Sequence, residues 1–89
     1  MTNSETATLR SPGSSDLILD CRGLLCPMPV VKTSQALAGM EPGRVLEVLA
    51  DDQGVKADFP AFCKGSGHEW LGFTQEGRVV RAWIRKGEE

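Results

Sequence analysis

Two prolines two residues apart, Pro27 and Pro29, constrain this chain more than any other feature. Inside a helix each proline removes a backbone donor and collides with the carbonyl four residues back, so the pair forbids a helix interior around residue 28. At a helix start the pair is harmless, because the first four N–H groups have no intrahelical partner. Downstream, Val30, Thr33, Leu37 and Met40 recur at helical spacing, with Val31 and Ala38 beside them. These observations predict a helix that opens on Cys26-Pro27-Met28-Pro29 and ends at Gly39 and the Glu41-Pro42-Gly43 turn. In that frame Cys26 is the N-cap, Pro27 the first helical residue, where proline is favoured, and Pro29 the third. The extended backbone imposed on a residue before proline suits a cap.

The placement has a chemical consequence. An N-cap side chain accepts a hydrogen bond from the second or third helical amide, and the third is here a proline. Met28 N–H is left as the first-turn donor to the sulfur. A helix N-terminus favours an exposed anion by about 0.3–1 kcal/mol. A thiolate, or the terminal anion of a persulfide, would gain from it. Cysteines at such positions, or beside cations, are the reactive ones, and Arg22 and Lys32 lie close in sequence. The competing reading makes Cys26 a structural cap or a small buried hydrophobe. The rigid Pro-x-Pro start and the Arg22-Gly23 turn before it weigh against that.

The rest of the chain supplies a frame for this helix. Leu17 to Cys21 is a short apolar run between Ser and Arg-Gly, predicting a first strand. In Arg44 to Ala50, Leu46, Val48 and Ala50 point one way and Glu47 the other, predicting a second. A second helix fits Asp58 to Lys64, with Asp58 as N-cap, Pro60 in the first turn, and Phe59, Phe62 and Cys63 facing inward. Glu69 to Gln75, with Leu71 and Phe73 on one face, and Arg78 to Arg85, with Val80, Ala82 and Ile84 on one face, form a hairpin about Glu76-Gly77. Both crossovers allow parallel connections, and right-handed crossovers put both helices on one face of a single sheet. The fold class is α/β, a two-layer βαβαββ sandwich.

At 89 residues this is one domain with one modest core. Residues 1–15 are rich in Ser, Thr, Gly and Pro and read as a disordered tail, leaving 16–89 as the domain. A formal charge of -2 offers no bulk attraction to nucleic acid or to anionic membranes. No window reaches the roughly 20 apolar residues of a membrane span. The three cysteines, in a chain read as lacking an export signal, point to a reduced cytoplasmic setting and not to a disulfide scaffold. Cys21 at a strand end and Cys63 on a helix face read as core residues. A Cys₃His zinc site with His68 fits the spacings loosely, and His68 reads better as a turn residue bonded to backbone. Arg78, Arg81, Arg85 and Lys86 form a solvated strand face or a docking patch, and Trp70 and Trp83 are expected to pair on the open side of the sheet.

The run Leu19-Asp20-Cys21-Arg22-Gly23-Leu24-Leu25-Cys26-Pro27-Met28-Pro29 resembles the signature of the TusA (SirA/YedF-like) sulfur carrier family. Asp51-Asp52, Asp58-Phe59-Pro60-Ala61-Phe62-Cys63 and Gly67-His68-Glu69 look like its later landmarks, so the resemblance spans about residues 17 to 86. It implies a mixed four-stranded sheet under two helices. It also implies that Cys26 accepts sulfane sulfur from a cysteine desulfurase or rhodanese-like donor and passes it to an accepting protein. No cofactor or metal is implied. Asp20, Gly23, Pro27 and Pro29 carry over as supports of the loop and helix start, beside Met28, read above as the amide donor. No second acid or base is legible around Cys26, which suggests a shuttle and not a self-sufficient catalyst. Two other classes fit the same residues: a regulatory or interaction module without sulfur chemistry, and a thiol-redox protein. The four residues between Cys21 and Cys26 depart from the Cys-x-x-Cys of a dithiol centre.

Overall fold

The computed structural model describes residues 15–88, so the tail expected over 1–15 lies almost wholly outside the described residues. The element order is β1 (Leu17–Asp20), α1 (Met28–Ala38), β2 (Val45–Ala50), α2 (Val55–Ser66), β3 (Glu69–Glu76) and β4 (Val79–Arg85). One sheet runs β1-β2-β4-β3. β1 is parallel to β2, and β4 is antiparallel to both β2 and β3, so the sheet is mixed as expected.

Strand register explains the core. Leu19, Val48 and Ala82 stand side by side across β1, β2 and β4, and Leu46 with Ile84 and Ala50 with Val80 extend the same face. α1 contributes Leu37, and α2 contributes Val55, Phe59 and Cys63 at four-residue spacing. These side chains are buried and form one cluster with Cys21, so both helices cover the same sheet face.

Three local expectations are corrected. α2 starts at Val55, not Asp58. Gly54 is the cap, its carbonyl taking the Ala57 and Asp58 amides at 3.1 and 3.0 Å. Asp52 braces the turn before it: its Oδ1 accepts from Gly54 N–H at 3.0 Å and its carbonyl from Val55 N–H at 3.1 Å. Asp58 thus sits in the first turn, and Pro60 lies inside the helix, where it brings no amide for the Lys56 carbonyl. The second correction concerns β3. A bulge between Trp70 and Gly72 places Trp70 opposite Ile84 and Phe73 opposite Ala82. Trp70 and Phe73 therefore share the core face, and Leu71 is the extra residue. Gly72, at φ 115, supplies backbone that other residues rarely adopt. Trp70 packs against Phe59 with ring centroids 6.4 Å apart, so it does not pair with Trp83, which lies opposite Glu47 on the other face.

The third correction concerns the cations of β4. They do not form one patch. Arg81 pairs with Glu47, and Arg85 pairs with Glu69 at 2.6 Å. Lys86 is only 9% exposed, and its Nζ donates to the carbonyls of Leu37 (2.7 Å) and Met40 (3.0 Å). It caps the C-terminal end of α1, where free carbonyls favour a cation. His68 Nδ1 accepts from Gly87 N–H at 3.0 Å, in line with its reading as a backbone-bonded turn residue.

Candidate functional site

The cysteine motif lies in the loop leaving β1. Because β1 and β2 run parallel, this loop and the Asp51-Asp52 loop leaving β2 emerge at the same end of the sheet. The two are joined side chain to backbone. Asp51 Oδ1 accepts from Gly23 N–H at 3.0 Å, and Asp52 Oδ2 accepts from Cys26 N–H at 2.7 Å. Gly23 reaches its partner at φ 85, left-handed backbone open to glycine. Asp20 closes the near side of the loop: it accepts from the backbone N–H, Nε and Nη2 of Arg22 at 2.8–3.0 Å. The guanidinium holds the Asp20 carboxyl at about 2.

The helix begins one residue later than expected. Val30 and Val31 both donate to the Pro27 carbonyl at 3.1 Å, so Pro27 is the cap, and Pro29 stands second in the helix and is buried. For Cys26 to cap, its own carbonyl would need the Val30 amide. Met28 N–H donates to Leu25 O at 2.8 Å and is not turned to the sulfur. The Cys26–Pro27 peptide is cis.

The sulfur faces a carboxylate instead. Cys26 Sγ donates to Asp58 Oδ2 at 3.2 Å. That hydrogen bond pushes the thiol above its ordinary range, with smaller contributions from desolvation and from the charges of Asp58 and Asp52. The direction is opposite to the one expected from a helix N-terminus flanked by cations. Arg22 is engaged by Asp20, and the charge of Lys32 bears on Cys21. Asp52 is held low by the amides of Gly54 and Cys26.

Cys26 is exposed, whereas Cys21 and Cys63 are buried. Burial raises both core thiols, Cys63 to about 11. Apolar side chains surround the exposed sulfur in sequence: Leu25 is 74% exposed, Met28 40% and Val31 37%. Among the described residues no three His, Cys, Asp or Glu side chains form a group that could hold a metal ion, and no helix is long and apolar enough to cross a membrane.

The acidic partners were only half legible. Asp51-Asp52 and Asp58 stood out as residues, but as landmarks and as a cap. The readable signal was topological: parallel β1 and β2 bring the loops at their C-terminal ends together, the place where α/β sheets put their sites.

Comparison with known proteins agrees with this architecture. The family description "Sulfurtransferase TusA" matches residues 17–86. YrkI of Bacillus subtilis is 48% identical over 73 residues, covering 82% of this chain and 97% of that protein. The sulfur carrier protein TusA of Pseudomonas aeruginosa is 40% identical over 73 residues, covering 82% of this chain and 92% of its own length. The crystal structure of a SirA-like protein from Desulfitobacterium hafniense superposes with a TM-score of 0.72 at 28% identity, covering 82% of this chain and all of that one. With the family pattern spanning the motif loop, both helices and all four strands, the chain belongs to the TusA sulfurtransferase family.

Proposed function

We propose that residues 16–89 act as a single sulfur carrier domain in which Cys26 accepts sulfane sulfur as a persulfide and passes it to a partner protein. The observation that carries this reading is the contrast among the three thiols: Cys26 is exposed while Cys21 and Cys63 are buried in the core. The relative named a sulfur carrier protein supports the sulfur chemistry.

In loading, Cys26 Sγ attacks the outer sulfur of a donor persulfide. The new S–S bond forms as the donor's S–S bond breaks, and the donor sulfur leaves as a thiolate that takes up the proton Cys26 gives away. The sulfane sulfur keeps its oxidation state, so no outside oxidant is needed. Unloading repeats the exchange on an acceptor thiol. Donors of the cysteine desulfurase or rhodanese-like kind fit this chemistry in a cytoplasmic setting. Cys26 works as a shuttle whose direction is set by the partners.

Incubation with inorganic polysulfide, followed by mass spectrometry, tests the assignment. The chain should gain sulfur on Cys26, lose that gain in Cys26→Ser, and keep it in Cys21→Ser and Cys63→Ser. Sulfur retained by Cys26→Ser would refute it.

A further inference from the structure

The Asp58 carboxylate is the one side-chain partner of the Cys26 sulfur among the described residues, and the sulfur carrier reading gives it no role. We infer that Asp58 is a positioning residue that holds bare Cys26 as a protonated thiol and releases it once sulfur is loaded. Loaded and empty carriers then differ in reactivity and in where the sulfur points.

The geometry supports both halves. In the bare state, Sγ donates to Oδ2 at 3.2 Å while Cys26 N–H is fixed on Asp52 at 2.7 Å, so residue 26 is anchored at two points on the loop and first turn of α2. A proton shared with a carboxylate is retained, because the thiolate would stand against like charge. Among the described residues no cation offsets this at the sulfur: Arg22 is bound to Asp20, and the charge of Lys32 on α1 bears on Cys21. In the loaded state Sγ is bonded to a second sulfur and has no proton to donate. The bond to Asp58 is lost. The reactive outer sulfur stands about 2.05 Å further along the S–S bond. Freed of the bond to Asp58, it turns to the exposed side of the loop, where Leu25 and Met28 lie.

The loaded half rests on the sulfur carrier reading, and the bare half does not. Alkylation of Cys26 by iodoacetamide, followed by mass spectrometry against pH on the full chain, separates them. For the bare thiol, Asp58→Asn should move the midpoint down and speed alkylation several-fold at neutral pH, since nucleophilicity falls less than the thiolate fraction rises. Asp58→Glu, which keeps the charge, should stay nearer the wild type. After loading with inorganic polysulfide, wild type and Asp58→Asn should react at matching rates. An unchanged midpoint in a folded Asp58→Asn chain overturns the inference, as does a loaded pair that differs as much as the bare pair. Carboxyl NMR on the wild type covers a variant that fails to fold. The Asp58 resonance should shift as the Cys26 proton leaves, and a resonance indifferent to that step overturns the inference equally. Failure to load at all would strike the carrier reading while leaving the bare midpoint to judge Asp58.

Discussion

Replacing Lys86 by Met tests whether this lysine is a structural cap or a surface cation. The unbranched methionine keeps the stem that crosses the core edge and removes the ammonium that reaches the Leu37 and Met40 carbonyls. Hydrogen bonds from a charged donor contribute about 1.5–3 kcal/mol each. Two opposing effects reduce the sum. Leu37 O keeps the Met40 N–H at 3.0 Å, and the variant no longer desolvates a charge, a cost that offsets part of any buried ion's gain. The net loss should be about 2 kcal/mol, which for a domain of this size lowers Tm by roughly 8–16 °C. Urea denaturation followed by far-UV circular dichroism measures it, with Arg78→Met, an exposed turn cation, as the control expected within about 0.5 kcal/mol of wild type. A Lys86→Met chain as stable as the Arg78→Met chain would refute the cap.

Three further outcomes follow from the described contacts. Phe59→Ala empties the space between α2 and Trp70 and should cost about 3–5 kcal/mol, read as a lowered urea midpoint with loss of the near-UV tryptophan signal. Native thiol titration should count one accessible sulfur and denatured titration all three, because Cys21 and Cys63 are buried and Cys26 is exposed. Asp20 is depressed to about 2 from 3.8, so its contribution is complete above the ordinary carboxylate range and fades as pH falls through about 2. The gap in urea midpoint between wild type and Asp20→Asn should therefore close on acidification.

The order of elements was legible because the apolar period switches between two and 3.6 residues at each strand–helix junction, with Gly or Pro marking the breaks, and Glu76-Gly77 marks the final hairpin. What failed to read was decided by single contacts. The α1 cap rests on which carbonyl takes the Val30 and Val31 amides, a choice between neighbours that spacing does not encode. The bulge at Leu71 reverses the facing of Phe73, and a lone glycine at 72 was its only trace. Lys86 reads as a surface charge until the end of α1 is seen beside it. That Cys26 stays out of the core was legible, but its electrostatic setting was not. Asp58 lies 32 residues away and reaches Cys26 only through the fold.

The pair Asp51-Asp52 fastens the cysteine loop with the same short segment that starts α2. For protein engineering this makes the site a two-piece graft. Moving the Cys-Pro-Met-Pro stretch onto another helix would transplant the cysteine without the clasp that orients it. A faithful transfer needs both loops, and with them two adjacent parallel strands to hold their spacing. The same reasoning ranks the loops for insertion: the Glu76–Val79 turn should accept added residues, whereas a lengthened Asp51–Gly54 segment would let go of the cysteine it serves.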